Sequence, residues 1–529
     1  MAGTTCCLVR PDTYRDSVEL MRVAALVEKL PGVSRAALMM ATPANRELLA
    51  GAGLLDAAGA AAGPNDLVVA VAAADPTAAE RALGEAARLL DEQAAVAAPS
   101  GDRPAPLSIA EAVGELPHAN LAIISTPGAY ATAEALKALK RGLHVFIFSD
   151  NVPVADEALL KRLAAKKKLL VMGPDCGTAI LDGVPLGFAN AVRRGPVGLV
   201  GASGTGLQEI SCLVDRLGEG CSQVIGVGGH DLDERVGGLM MQAGIERLSG
   251  DPGTRVIVLV SKPPAPAVAR RVLDVARKSG KPVVVNFLGG DPTLIRAAGA
   301  IPAATLEDAA RAAVALARGK KASTAPLAVA PKLAAAGRAK ARRFGKGQSL
   351  VRGLYSGGTL CQEAALILQD LSDSGGGAKH TTVDLGDDEF TVGRPHPMID
   401  GRLRNERILA AAGVPATAVI LLDVVLGYGA HPDPAGALVP AIEGAIKAAA
   451  KGKRGLAFVA SVCGTAADPQ GLEHQEARLA AAGVLLAPSN AQAARLAASL
   501  VGRRRPARHR RPTRHRRPTR HRRPTRRKG

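Results

Sequence analysis

Two segments of this chain set a Ser, a Thr and several glycines between a strand-like stretch and a helix-like stretch, in the same order each time. The first reads Gly198-Leu-Val-Gly-Ala-Ser203-Gly-Thr205-Gly206-Leu-Gln208-Glu209, and the second Gly353-Leu-Tyr-Ser356-Gly-Gly358-Thr359-Leu-Cys361-Gln362-Glu363. Such a turn aims unbonded helix N–H groups, hydroxyls and the positive end of a helix dipole at one point, which is how proteins hold phosphate or carboxylate. Ser203, Gly204 and Thr205 are therefore candidate catalytic residues acting on a phosphate. Gly357, Gly358 and Thr359, with Ser356 binding substrate, are candidates for a second anion or the other side of a transition state. Each backbone donor preorganised on a developing oxyanion lowers a barrier by roughly 3 kcal/mol. One isolated turn of this type is better explained by tight-turn and N-cap chemistry. Its duplication favours a ligand site.

Other residues with chemical potential lie near these turns. Asp384, Asp387, Asp388 and Glu389 cluster with Arg394 and His396. Together they could hold Mg2+ through oxygens or steer a carboxylate by an Arg fork, against the alternative of a solvated acidic loop. No metal ligand set is assigned. His230 follows Gly228-Gly229 at the end of a strand-like run and is a candidate acid, base or phosphate contact. Lys262, in Val260-Ser-Lys-Pro-Pro264, ends another such run at the edge where open α/β sheets bind ligands. Cys176 has no partner His at a telling spacing and is expected to be inert. Gly427-Tyr-Gly-Ala-His431-Pro-Asp433-Pro is a third glycine loop that could complete a cleft or only start a helix.

The elements that must position these residues are legible from periodicity. Short β-branched runs alternate with Ala-rich stretches, which predicts parallel sheets with helices on both faces. Strands are expected at Leu121 to Ile124, Val145 to Phe148, Leu169 to Met172, Val197 to Val200, Val256 to Val260 and Val283 to Phe287. They resume at Leu350 to Leu354, Val383 to Leu385, Val419 to Leu422 and Leu456 to Val459, after a basic linker at 319–348. Beyond the opening turns, Val224 to Asp231 finds a counterpart in Thr382 to Asp388, and Ala300 to Arg311 in Leu485 to Arg495. Two copies of one α/β unit related by a pseudo-twofold axis would bring both turns to a shared cleft.

Composition bounds the partners. With 529 residues and 47% hydrophobic content the chain is expected to hold several cores, and with no Trp and 2% aromatics its composition is poor for base-stacking surfaces. The net charge of +19 is local: residues 503–529 carry fourteen Arg and one Lys, and removing those fifteen cations leaves about +4. There Arg508-His-Arg-Arg-Pro-Thr513 recurs at 514–519 and 520–525, which reads as a disordered tail at 501–529 able to make nonspecific nucleic-acid contacts. Seven scattered Cys without metal spacing suit a reducing cytosol. No leader pattern opens the sequence and no apolar run reaches the roughly 20 residues of a membrane helix, so a cytoplasmic protein without membrane contact is expected.

Several motifs carry a family resemblance: Thr42-Pro-Ala-Asn45, Met172-Gly-Pro-Asp-Cys176-Gly-Thr178, Gly201-Ala-Ser-Gly-Thr-Gly206, Val260-Ser-Lys262-Pro-Pro264, and Leu385-Gly-Asp-Asp388 leading to Thr391-Val-Gly-Arg394-Pro-His396-Pro-Met-Ile-Asp400. Over residues 10–500 the chain resembles the FdrA proteins, relatives of the succinyl-CoA synthetase superfamily. The resemblance implies an α/β chain with several doubly wound parallel-sheet domains, a Rossmann-like CoA-binding domain at 113–192 and flavodoxin-like ligase-CoA domains at 196–318 and 349–500, preceded by an N-terminal α/β domain at 1–112. Two departures from the synthetases matter. Ala297, in Ile295-Arg-Ala-Ala-Gly299-Ala-Ile301, stands where their α chain has its phosphorylated histidine, and no ATP-grasp or Walker segment is present. The CoA-binding glycine loop is replaced by Ala41-Thr42-Pro43-Ala44-Asn45, which counts against CoA, and no cofactor-binding residue is assigned. The resemblance implies a subunit of a heteromeric acyl- or carbamoyl-transfer enzyme of the oxamate carbamoyltransferase type, in allantoin breakdown, with phosphate or carbamoyl phosphate as ligand. The alternatives are an NDP-forming acyl-CoA synthetase subunit that borrows an ATP-grasp chain and a non-catalytic scaffold.

Overall fold

The computed structural model describes residues 4–15, 17–97, 106–373, 380–391 and 395–501. Arg394 and the Arg-rich tail at 502–529 lie outside the described residues.

The chain folds as four sheets in sequence order. The first unit runs β1 (Thr4–Arg10), α1 (Ser17–Val27), β2 (Val33–Met40), α2 (Pro43–Gly51), α3 (Ala57–Ala61), β3 (Leu67–Ala73) and α4 (Pro76–Ala97). Here the expectation of parallel sheets fails. Its strands are ordered β1-β3-β2 and both pairings are antiparallel. The next unit has α5 (Ile109–Glu115), β4 (Leu121–Ile124), α6 (Gly128–Lys140), β5 (His144–Ile147), α7 (Val154–Lys167) and β6 (Val171–Met172), a three-stranded parallel sheet.

The remaining strands form two sheets built to one plan. One contains the hairpin β7 (Thr178–Leu181) and β8 (Val184–Gly187), then β9 (Arg194–Ala202), α8 (Gly204–Arg216), β10 (Cys221–Gly226), α9 (Leu239–Gly250), β11 (Val256–Ser261), α10 (Pro266–Arg277), β12 (Val283–Phe287), α11 (Pro292–Ala297), β13 (Ile301–Pro302) and α12 (Leu306–Ala317). The span expected to be a linker contains α13 (Pro331–Ala341), whose Gly337 lies against Leu496 and Leu500. The last unit has β14 (Leu350–Tyr355), α14 (Gly358–Asp373), β15 (Thr381–Asp384), α15 (Asp388–Thr391), α16 (Arg402–Gly413), β16 (Thr417–Val425), α17 (Pro434–Lys451), β17 (Ala457–Cys463), α18 (Leu472–Ala481), β18 (Leu485–Ala487) and α19 (Asn490–Val501).

The order β13-β12-β11-β9-β10 in one sheet matches β18-β17-β16-β14-β15 in the other, so the repeat read from the sequence extends to topology. Central strands are continuous apolar runs because both faces are covered: Val256–Ser261 and Thr417–Val425 are buried throughout. The antiparallel hairpin β7-β8 joins the edge of the first of these sheets through β10, so residues 178–187 belong to that sheet although they fall inside the segment expected to be the preceding domain.

One hydrophobic core runs through both units, from Val197 and Leu207 to Leu360, Val419 and Leu496. Helices α8, α12, α14 and α19 contact one another within this core. Two buried acids join them. Glu209 of α8 accepts a hydrogen bond from the Asn490 N–H at the start of α19 (3.1 Å). Glu363 of α14 accepts from the Leu306 N–H at the start of α12 (2.7 Å) and from Asn490 Nδ2 (2.8 Å). Each carboxylate thus satisfies the first turn of a helix in the other unit, where the helix dipole favours negative charge. Burial pushes the Glu363 carboxyl up to about 7, with its two donors opposing.

A carboxyl whose folded value lies above its unfolded value binds a proton more readily when folded, so its contribution is present at low pH and is lost as pH rises from about 4.5 through 7. Glu363→Gln is expected to flatten that segment of a urea-denaturation stability profile. Glu363→Ala is expected to cost about 1–3 kcal/mol at pH 5 by leaving buried donors unpaired. A profile unchanged in both variants would contradict this account.

Candidate functional site

The parallel strand β9, buried from Val197 to Ala202, stops at Ser203, where the backbone is still extended and the side chain caps α8. Ser203 Oγ accepts from the Gly206 N–H (3.1 Å). The caps of the two repeats then meet. Ser203 Oγ lies 2.5 Å from Thr359 Oγ1, a buried hydrogen bond between residues 156 apart in sequence. A Cβ on Gly206 would sit 3.2 Å from the Thr359 methyl, and one on Gly357 would sit 2.8 Å from the Thr205 methyl. The starts of α8 and α14 therefore face each other.

The two turns are not equivalent. The Ser356 N–H (2.8 Å), the Ser356 hydroxyl (3.0 Å) and the Gly357 N–H (2.8 Å) all donate to the carboxylate of Asp423. Arg404 closes this arrangement from behind, 3.0 Å from Asp423 Oδ1 and 3.3 Å from Ser356 Oγ. Burial pushes the Asp423 carboxyl up, and Arg404 is the largest influence in the other direction. The expectation that Ser356 and Gly357 hold a substrate anion is thereby corrected: an internal carboxylate already takes their donors. At α8, among the described residues, no carboxylate accepts from the first N–H groups of the helix. A Cβ on Gly204 would find Thr178 Oγ1 at 3.4 Å and the Gly177 backbone at 3.9 Å.

Asp384 and Lys262 stand beside Gly358. A Cβ on that glycine would lie 2.4 Å from Asp384 Oδ2 and 3.6 Å from Lys262 Nζ, so the position admits no side chain unless Asp384 moves. Asp384 Oδ1 accepts from the Gly386 N–H (3.0 Å). Burial raises its carboxyl, and Lys262 opposes that rise. These groups open on a cleft of about 1710 Å³ that Ser203, Gly204, Thr205, Gly358, Thr359 and Lys262 help to line.

His396 also borders the cleft, its ring centred 5.6 Å from the Phe188 ring and tilted by 35° to it. Its Nδ1 accepts from the Met398 N–H (3.2 Å), and desolvation together with Arg404 lowers it to about 4, so the imidazole is neutral near pH 7. His230 sits on the cleft with its ring exposed and its Nδ1 3.5 Å from Glu157 Oε2. Glu157 belongs to a fully buried cluster in which Lys161 Nζ reaches Glu157 (2.6 Å), Asp231 (3.0 Å) and the Val227 carbonyl (2.7 Å). Cys176 is buried with its thiol pushed up to about 12, which suits an inert role. The third glycine loop packs elsewhere: Gly427 adopts φ 111°, and a Cβ there would meet the Ala189 carbonyl at 2.5 Å. Its His431 lines a separate small cavity with Arg404 and Ser356.

Sequence reasoning missed Asp423 and Arg404. The available signal was an Asp inside the apolar run Val419 to Val425, since a charge on a doubly covered strand requires a partner. Among the described residues no cluster of three His, Cys, Asp or Glu side chains is arranged for a metal ion, and no helix is long and apolar enough to cross a membrane.

With this geometry in place, comparison with known proteins is informative. The uncharacterized protein YahF of Escherichia coli (strain K12) is 42% identical over 511 residues, covering 93% of this chain and 98% of that protein. The chain belongs to the YahF family. Family models place this YahF relative in the succinyl-CoA synthetase superfamily: a CoA-ligase model matches residues 354–500, a CoA binding domain model 192–289, and a model described as AllF, heavy metal-associated domain, 3–105. The CoA-binding match thus falls on the sheet built around β9, whereas the sequence reading set that domain at 113–192. Succinate–CoA ligase [ADP-forming] subunit alpha 1 of Archaeoglobus fulgidus is 28% identical over 186 residues, covering 34% of this chain and 62% of that protein. The apo form of the dinucleotide forming acetyl-coenzyme A synthetase 1 of Ca. Korarchaeum cryptofilum is similar at 17% identity and TM-score 0.33 over 77% of this chain and 88% of that one, too distant to argue from.

The pairing of caps predicts unequal costs. Ser203→Ala removes an N-cap and strands the buried Thr359 hydroxyl, for an expected loss of about 1–3 kcal/mol in urea denaturation. Thr205→Val, at a hydroxyl for which no hydrogen bond is recorded among the described residues, is expected to stay within about 0.5 kcal/mol. Equal losses would contradict the assigned geometry.

Proposed function

We propose that this chain is one subunit of an enzyme that transfers an acyl or carbamoyl group between phosphate and an acceptor, with the phosphate at the start of α8. The observation that carries the reading is the direct contact of two helix starts through Ser203 and Thr359 on the wall of the cleft. Amides of Gly204 and Thr205, the Thr205 hydroxyl and Lys262 provide donors and positive potential for a small dianion. With carbamoyl phosphate and oxamate, the acceptor nitrogen attacks the carbamoyl carbon, a C–N bond forms while the bond from that carbon to the phosphate oxygen breaks, the proton lost by the nitrogen ends on the departing phosphate, and phosphate leaves toward α8. Fixed donors there stabilise the charge that develops on the leaving oxygen. This chemistry draws on the mixed anhydride of the substrate. It suits a chain with Ala297 in place of a phosphorylated histidine and no recognisable ATP-binding loop. Further subunits would supply the acceptor site and complete the cytoplasmic assembly.

A second reading is supported by the CoA-ligase and CoA binding domain matches: an acyl-CoA synthetase subunit acting with a separate nucleotide-binding chain. The deciding assay isolates the native complex and measures phosphate release from carbamoyl phosphate with oxamate beside CoA-dependent nucleotide cleavage. Transferase activity with no nucleotide cleavage is expected, and the converse result would install the second reading. Gly204→Val should reduce turnover by about 100-fold or more while leaving far-UV circular dichroism unchanged. Wild-type kinetics in that variant would remove the α8 start from the site.

A further inference from the structure

Behind His230 lies a buried cluster with one carboxylate more than it has cations. Lys161 Nζ serves both Glu157 (2.6 Å) and Asp231 (3.0 Å), and all three side chains are fully buried. Three of the four carboxylate oxygens have donors: Lys161 reaches Glu157 Oε1 and Asp231 Oδ1, and the N–H groups of Met240 (3.2 Å) and Met241 (2.9 Å) reach Asp231 Oδ1 and Oδ2. Glu157 Oε2 has no hydrogen-bond partner. A buried carboxylate oxygen without a donor and a buried charge without a counter-charge are both costly. His230 Nδ1, 3.5 Å from that oxygen, is the group placed to supply both. The next acid along the loop, Asp233, is taken by Arg235 (2.9 Å).

The cluster is also fixed to the loop that carries His230. Lys161 Nζ donates to the Val227 carbonyl (2.7 Å) just past the end of β10, and the Val227 N–H donates to the Gly201 carbonyl of the neighbouring parallel strand β9 (2.9 Å). The loops that follow, Ser203-Gly204 and Gly228-Gly229-His230, therefore leave the sheet at the same edge, and both line the cleft. Glu157 faces Nδ1 of a side chain that is 56% exposed, which leaves Nε2 as the available ring nitrogen. We infer that His230 is the proton-transfer residue of this cleft and that Glu157 positions it. In the transfer reaction, on which this detail rests, Nε2 takes the proton as the N–H bond of the acceptor breaks and passes it to an oxygen of the departing phosphate. The imidazolium that exists in between is balanced by the surplus negative charge of the cluster, the role a carboxylate plays behind a catalytic histidine.

The test uses the native complex in whichever reaction it performs, phosphate release or nucleotide cleavage. His230→Ala, at an exposed side chain, is expected to lower kcat about 100-fold or more with KM within about threefold, and added imidazole should restore part of the loss. Glu157→Gln should lower kcat about tenfold on its own and add nothing to His230→Ala, because it acts only through the ring. Wild-type kinetics in His230→Ala would overturn the inference and leave the transfer reading standing. Nucleotide cleavage in place of transfer would overturn that reading, and His230→Ala then tests the inference in that reaction. A full tenfold effect of Glu157→Gln in the His230→Ala background would overturn the positioning role. One readout needs no turnover: carbethoxylation of His230 by diethyl pyrocarbonate, followed by peptide mass spectrometry, is expected to be about threefold or more slower in Glu157→Gln, since a carboxylate on Nδ1–H makes Nε2 more basic. Equal rates would overturn the assigned contact even in an inactive complex, and the His230→Ala result stands even if Glu157→Gln does not fold.

Discussion

Two buried carboxylates hold the two repeated units of this molecule in register. Glu209 and Glu363 leave their own helices to satisfy helix starts in the opposite unit, and Asn490 is shared between them through its N–H and its side-chain amide. Neither acid can be satisfied unless both units are folded and packed against each other, because an unpaired carboxylate at 3% or 1% exposure is strongly disfavoured. The same helices begin at Ser203 and Gly358, one or two turns upstream of the acids. Fixing the acids therefore fixes the facing of the two helix starts, and the contact between Ser203 and Thr359 follows from it.

The joint is supported at its edges by polar contacts of the same kind. Gln208 donates to Asn190 (3.1 Å), and Asn190 in turn donates to Asp468 (2.8 Å) and to the Leu426 carbonyl (3.0 Å), which ties β9's approach to the far unit. The Gln-Glu pair in the first helical turn, repeated in both halves of the sequence, is thus partly an architectural signal. Glu carries the reciprocal capping, and in the first repeat Gln anchors the flanking loop. One turn earlier, the hydroxyls and glycines of the two helix starts line the cleft.

Much of this was legible from residue patterns because parallel strands covered on both faces must be apolar throughout. Val283 to Phe287 and Leu121 to Ile124 match the observed strands residue for residue. The internal repeat also survives as topology, since homologous turns and sheet orders were written twice in one chain. What escaped was whatever depends on partners distant in sequence. The antiparallel pairing of β1, β2 and β3 uses the same apolar runs that a parallel sheet would use, so periodicity alone does not distinguish them. The helix Pro331–Ala341 was hidden in a basic stretch because only one small residue, Gly337, is buried on it. The filling of the second turn by Asp423 was invisible for a similar reason: the turn and the acid are 66 residues apart.

Divergence of the two turns also constrains the chemistry. A symmetric pair of helix starts would be suited to a symmetric, highly charged group passed between them. Here Asp423 takes the donors of one start and Arg404 pairs with Asp423, whereas the start of α8 and Lys262 line the cleft. Asp384 adds a negative edge on the other side. Transfer to a thiolate and transfer to a nitrogen make opposite demands on that edge. A thiolate approaching Asp384 brings like charges together in a partly desolvated cleft, where repulsion is weakly screened. An N–H group is instead a hydrogen-bond donor to the same oxygen. The asymmetry created by Asp384 and Asp423 therefore bears on the choice between nitrogen and sulfur chemistry more directly than the shared superfamily fold does, because fold alone leaves the reaction open.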